Sequence, residues 1–314
     1  MTDQSLPTGA ARHAPTDSPL LVHSVLFTVA LLFGGNYVVA KFAIRELSPL
    51  ALVVLRTSGT AAILFAVSAL TPWRRGSQKF TRSEFRELYL YSLLGASINQ
   101  VCFLEGLSRT TATNASVMFV CVPLMTLGFA VMLGREKATL TGVTGIVVGL
   151  IGALILIVPK GNLDFSSSAT LGNVLLLIGG ASYGLYLVLT RPILARHDPL
   201  RVMSWVFLFA ALTVLPFGIG GIIDLSSHGL TNVGWASVTY VVIGATVFPY
   251  MLNSWALVRV TASVVAVYIL LQPVVAGTMG RLFLGESFAP HTALAATLVV
   301  AGVLISTWKP ASRV

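Results

Sequence analysis

The stretch from Thr111 to Gly152 is written twice in this chain. Thr111-Ala112-Thr113 is followed by Pro123, Glu136 and Gly152. At an offset of 150 positions the chain reads Thr261-Ala262-Ser263, then Pro273, Glu286 and Gly302. Leu107 and Arg109 return at the same offset as Leu257 and Arg259. So many agreements in one ungapped register mark an internal duplication. Both copies lie in strongly apolar sequence, which constrains the fold more than any single motif.

Only 10% of the 314 residues are charged and 55% are hydrophobic, whereas soluble domains run near 25% charged. The net charge of +9 does not point to nucleic acid, because the basic residues form no face or run. They stand singly between apolar segments, as topology signals do at the ends of membrane helices. Cys102 and Cys121 lie inside apolar stretches, without the spacing of a disulfide framework or metal site, and read as small buried hydrophobes. No metal or cofactor is expected.

Residues 1–18, rich in Thr, Ser, Pro and Ala, read as a disordered tail and not as a secretory signal. Beyond them, charge-free windows recur at the length of about 20 residues that a helix needs to cross the hydrocarbon. Ten helices are predicted: 20–43, 48–71, 86–106, 111–133, 139–159, 170–190, 199–223, 234–256, 262–283 and 289–308. The repeats are then 20–159 and 170–308, with five helices each. Loops are short and marked by Pro or Gly, as at Ser48-Pro49, Pro159-Lys160-Gly161 and Asp198-Pro199.

With the N-terminus inside, 14 Lys and Arg fall on the cytoplasmic side and 5 on the other, while Arg56 lies within a helix. This bias places both termini in the cytoplasm of a cell with the protein in its inner membrane. Five helices per repeat is odd, so the second copy enters the bilayer inverted. Inverted repeats are a construction for alternating access around a site at their interface.

The residues also resemble a known family. Gly34-Gly35-Asn36-Tyr37 followed by Lys41, then Pro49 leading to Arg56, then Pro123 with Leu133-Gly134-Arg135-Glu136, then Pro273 with Leu284-Gly285-Glu286, are similar to the ten-helix EamA-type members of the drug/metabolite transporter superfamily. The resemblance spans about residues 22–308. One departure is Phe33, where the family commonly has Trp. The resemblance implies an all-α carrier of small metabolites, frequently an exporter of amino acids or related compounds.

Arg56 is the basic side chain well inside a span, where a charge is normally paired or lines a cavity. Two readings stand: a structural pair with Glu105, or an anchor that grips a substrate carboxylate bidentately. Asn36, Asn99 and Gln100 either line a cavity or join helices. Tyr183 and Tyr186 share a turn with Ser182; Tyr268 and Gln272 share a helix face before Pro273; Tyr250 and Asn253 follow Pro249. They suit an aromatic or apolar solute with polar groups, or ordinary packing. Lys41 and Glu105 are candidates for an ion pair or for coupling. Pro123 and Pro273 each free a backbone carbonyl in mid-membrane and are candidate hinges. Glu136 and Glu286 are expected to orient helices or link the repeats, and the glycine pairs, including Gly145 and Gly149, to allow close helix contact.

The histidines (His13, His23, His197, His228, His291) sit in tails, loops or helix ends, and no nucleotide loop is present, which disfavours an enzyme or an ATP-driven pump. The alternative to a secondary transporter is a channel or a non-transporting sensor. A small molecule and the bilayer are the expected partners, with self-association left open.

Overall fold

The computed structural model describes residues 18–71, 79–110, 112–157, 167–284 and 291–307. The predicted tail, the turn at 159–161, Thr111, and Gly285 with Glu286 lie outside the described residues. Among those described, every regular element is a helix. Helix starts are fixed by short polar side chains. Ser18 caps α1 (Pro19–Ala43), Ser48 caps α2 (Pro49–Leu70), and Asp198 caps α9 (Pro199–His228), each followed by a proline at the first helical position. Ser48-Pro49 and Asp198-Pro199 stand 150 residues apart, so the duplication extends to the caps.

The third pass is a run of α3 (Arg82–Ser92), a π-helix (Leu93–Ile98) and α4 (Asn99–Arg109). It starts four residues before the predicted 86 because Thr81 and Glu84 form a capping box. The fourth pass breaks between α5 (Ala112–Phe119) and α6 (Val122–Met132), with Pro123 in the first turn of α6. It is followed by α7 (Leu140–Ile157) and α8 (Ser167–Arg196). The eighth pass repeats the third as α10 (Asn232–Thr239), a π-helix (Tyr240–Val247) and α11 (Phe248–Leu257). The ninth repeats the fourth as α12 (Ala262–Val267), a 3₁₀ turn (Tyr268–Leu271) and α13 (Gln272–Leu284), where Pro273 opens α13. The last helix is α14 (His291–Thr307).

Six of the described helical runs are long and apolar enough to span a membrane: Pro19–Ala43, Pro49–Leu70, Thr170–Arg196, Pro199–Leu225, Asn232–Leu257 and Ala262–Phe283. Large apolar side chains such as Phe27, Leu31, Ile178, Leu212, Phe217, Phe248 and Leu282 are exposed. An exposed apolar surface spread over so many helices belongs in lipid, not in water.

The repeats pack as inverted copies. Gly218 and Gly221, late in α9, lie against Leu50 and Ser48 at the start of α2. Trp205, early in α9, meets Phe65, late in α2, with ring centroids 5.6 Å apart. Equivalent helices of the two repeats therefore run antiparallel. In the same way Gly145 packs on Ser306 and Gly149 on Gly302, so α7 and α14 are antiparallel. The other contacts come in related pairs: α4 on α8 as α11 on α1, and α6 on α8 as α13 on α1. The glycine pairs do serve close approach. A methyl group at Gly302 would stand 2.6 Å from both Gly145 O and Gly149 Cα. Gly302→Val should therefore separate α7 from α14, an overpacking cost of about 1–3 kcal/mol. A thermal scan of the detergent-purified protein should show an apparent Tm several degrees lower, and an unchanged Tm would mean the two helices are not locked together here.

Candidate functional site

The two π-helices lie at equivalent places in the repeats, and in each the backbone ladder runs from i to i+5. Gly95 and Ala245 are 150 residues apart, and each has its carbonyl taken by a buried side chain. The Tyr250 hydroxyl donates to Gly95 O at 2.6 Å, and Arg56 Nη2 donates to Ala245 O at 2.9 Å. Ser182 Oγ likewise donates to Leu94 O at 2.7 Å. The donor to Gly95 is itself held by its own repeat equivalent: Gln100 Nε2 donates to Tyr250 Oη at 2.9 Å. Polar side chains from both repeats thus converge on the middle of the bundle.

They enclose a cavity of about 40 Å³ lined by Phe33, Asn36, Tyr37, Arg56, Asn99, Gln100, Phe103, Phe119, Tyr183, Tyr250, Ile269 and Gln272. At ~10–15 Å³ per water this is room for a few waters. Phe119 and Ile269, again 150 apart, reach it from the two broken passes just ahead of Pro123 and Pro273. Aromatic edges form the walls. Phe33 meets Tyr183 and Tyr250 at centroid distances of 6.4 and 6.2 Å, and Tyr37 meets Phe103 at 5.4 Å.

Arg56 is 2% exposed. Its Nε donates to Thr246 Oγ1 at 2.6 Å and its Nη2 to Ala245 O, while Nη1 has no partner among the described residues. Of the two readings, the pair with Glu105 is not formed. Glu105 binds Arg109 one turn further along α4, a pair that costs neither side chain an excursion into the bundle. Arg56 instead turns toward Ala245 O, whose usual helical donor is missing because Pro249, four residues on, has no N–H. Lys41 joins no ion pair among the described residues; its Nζ donates to Thr110 O at 2.6 Å and closes the turn after α4.

Of the nine side chains that sequence reasoning grouped for substrate, seven line the cavity: Asn36, Arg56, Asn99, Gln100, Tyr183, Tyr250 and Gln272. Tyr186 and Tyr268 do not. Tyr186 packs its ring on the bare Gly95 and points its hydroxyl to Met203 Sδ at 3.3 Å. Tyr268 binds His23 Nδ1 at 2.6 Å, one layer away. Some lining groups are also tied into packing: Asn99 Nδ2 donates to Gly179 O at 2.9 Å, and Gln272 Oε1 accepts from Tyr37 at 3.1 Å. Sequence reasoning did not single out Tyr37, Phe103 and Phe119, or Thr246 as the partner of Arg56. Glu136 does bridge the repeats, accepting from Ser263 N at 3.3 Å.

The family model of EamA-like transporters matches residues 20–158 and again residues 170–308. An uncharacterized transporter of Archaeoglobus fulgidus is 28% identical, with 91% of this chain and 97% of the relative covered. The uncharacterized transporter YetK of Bacillus subtilis is 22% identical over 88% and 83% of the two chains. A WAT1-related protein of Arabidopsis thaliana is 24% identical over 91% and 84%. A solved crystal structure superposes with a TM-score of 0.73 at 19% identity, covering 92% of this chain and 98% of the other, which is a likeness of fold. With matches over both halves, this multi-pass membrane protein belongs to the EamA-like transporter family, within the drug/metabolite transporter superfamily.

Proposed function

We propose that this transporter exports small metabolites, such as amino acids or related compounds, across the cytoplasmic membrane by alternating access, with both termini in the cytoplasm. The solute site is the cavity around Arg56. One observation carries the reading: a buried cation with a free donor sits where two inverted repeats meet, lined from both. That is where a carrier of this construction binds its solute, and an ionisable side chain inside a span is costly enough to mark a functional site by default. Pro123 and Pro273 supply the bending points on either side.

Two measurements test it. A fluorescent or enzymatic reporter fused after Val314 should be active in the cytoplasm, since 14 basic residues lie on that side against 5. Proteoliposomes should show saturable flux that is accelerated by solute on the opposite side. Flux that rises linearly without saturation would instead identify a channel, and binding without flux a sensor.

A further inference from the structure

The cavity holds a single charged side chain, Arg56; its other eleven described lining residues are aromatic, aliphatic or amide-bearing. Most of its polar groups already have partners. Of its polar side-chain atoms with no accessible area, two have no partner among the described residues: Arg56 Nη1 and Asn36 Oδ1, on side chains 2% and 3% exposed. Each is costly to leave unmade, the charged donor more so. One is a cationic donor and the other a neutral acceptor. Their complement is an anionic acceptor together with a hydrogen-bond donor, carried by a body that suits aromatic walls.

Resting on the reading of this cavity as the solute site, we propose that it takes a small aryl-substituted 2-hydroxy carboxylate, in preference to the zwitterionic amino acid of the same skeleton. The carboxylate accepts from Arg56 Nη1 and neutralises the guanidinium. The hydroxyl donates to Asn36 Oδ1. The ring lies among Phe33, Tyr37, Phe103 and Tyr183, where edge-to-face contacts are already the pattern. An ammonium in place of the hydroxyl would bring a second positive charge into a buried site that has one already and, among its described lining residues, no carboxylate. Like charges repel strongly there, and the ammonium would lose its hydration without gaining a counter-ion. The charge of the site, not its shape, selects. Because the cavity of about 40 Å³ is too small for such a ring, binding also requires Phe33 and Tyr183 to part.

Thermal-shift titrations of the purified full-length protein with four probes decide the matter: 3-phenyllactate, 3-phenylpropanoate, phenylalanine and 2-phenylethylamine. Phenyllactate should bind best. Phenylpropanoate, lacking the donor, should bind on the order of tenfold more weakly. Phenylalanine should be weaker than phenyllactate by on the order of a hundredfold, and the amine should not stabilise the protein at all. Asn36→Leu should erase the advantage of phenyllactate over phenylpropanoate and leave the latter's affinity in place. Phenylalanine binding as tightly as phenyllactate, stabilisation by the amine, or no shift with any of the four would each overturn the assignment; the wild-type series alone suffices if the variant does not fold. Its failure is distinct from that of the transporter reading. Saturable flux of zwitterionic amino acids would sink this proposal and sustain transport, whereas phenyllactate binding without flux would do the reverse.

Discussion

Replacing Arg56 by alanine should reduce transport to the level of empty liposomes while the protein still reaches the membrane. Insertion is spared because a charge at the centre of a span costs at least ~2.5 kcal/mol, so the variant α2 is the more apolar helix. Folding is affected modestly. Ala245 O loses its donor from Arg56 Nη2, which leaves a buried carbonyl unmade at about 1–3 kcal/mol, whereas Thr246 Oγ1 keeps its own bond to Val241 O at 2.6 Å. A Tm lowered by a few degrees together with complete loss of flux is therefore the expected signature. Arg56→Lys keeps the charge but cannot serve Thr246, Ala245 and a solute at once, because the planar fork is gone; flux should fall about 10–100-fold, the value of one charged hydrogen bond. The control is Glu105→Ala. Glu105 is paired with Arg109 at a partly exposed site, where such pairs contribute ~0–1 kcal/mol, so flux should stay near wild type. Loss of flux in Glu105→Ala, restored by adding Arg56→Ala, would show that Arg56 serves a salt bridge and not a solute.

What the sequence makes legible here is whatever depends on length and periodicity. Ten passes follow from charge-free windows, and inversion from an odd number of helices in a repeat. The inversion emerges in the antiparallel packing of α2 on α9 and of α7 on α14. Arg56 stands out because a cation inside a span is costly. Its partner does not, because the acceptor Ala245 O is a backbone group 189 residues away. Pro249, four residues on and without an N–H, does signal that this carbonyl lacks its helical donor, but not which side chain takes its place. Of the two readings of Arg56, the pair with Glu105 is not formed, because Arg109 lies one turn away on the same helix and takes that acid. Tyr186 and Tyr268 show a related limit: sharing a helix face with a lining residue does not say which turn reaches the cavity. The repeat register carried a signal for Phe33, which stands 150 residues before Tyr183. Phe33 and Tyr183, Gln100 and Tyr250, and Phe119 and Ile269 are each 150 apart, and all six line the cavity.

That register also relates two latches at opposite ends of the bundle, and breaking them should bias the carrier in opposite directions. At the end of the α1–α2 connection, Glu46 accepts from Thr231 N at 2.9 Å and from Thr231 Oγ1 at 2.6 Å, tying that connection to the cap of α10. At the other end, Thr81 is the equivalent cap, and there the acid is built in. Glu84 accepts from Thr81 N at 2.9 Å, and its other oxygen is held by His197 at 2.8 Å and Arg196 at 3.1 Å from the α8–α9 connection. Arg196 is the repeat equivalent of Glu46, and Gly234 of Glu84. A methyl at Gly234 would stand 2.5 Å from Glu46 Oε2, so the bare glycine makes room for the acid that arrives from the first repeat. The Thr81 N–H bond, followed by the bond to His197, lowers the Glu84 pKa from its ordinary 4.5 to about 2. A carboxylate depressed in the folded state contributes stability that is complete above the ordinary value and is lost as pH falls toward 2, so this latch is fully charged at neutral pH. The hydrogen bonds from Thr231 lower the Glu46 pKa in the same sense. In the proposed orientation the Glu46 latch is extracellular and the Glu84 latch cytoplasmic. Glu46→Ala should then raise labelling of an engineered cysteine on the outer side of the cavity and lower it on the inner side, and Glu84→Ala should do the opposite, each by on the order of tenfold, within the usual range of conformational coupling. Changes of the same sign in both variants would mean that the two contacts only hold helix ends together and that neither one gates.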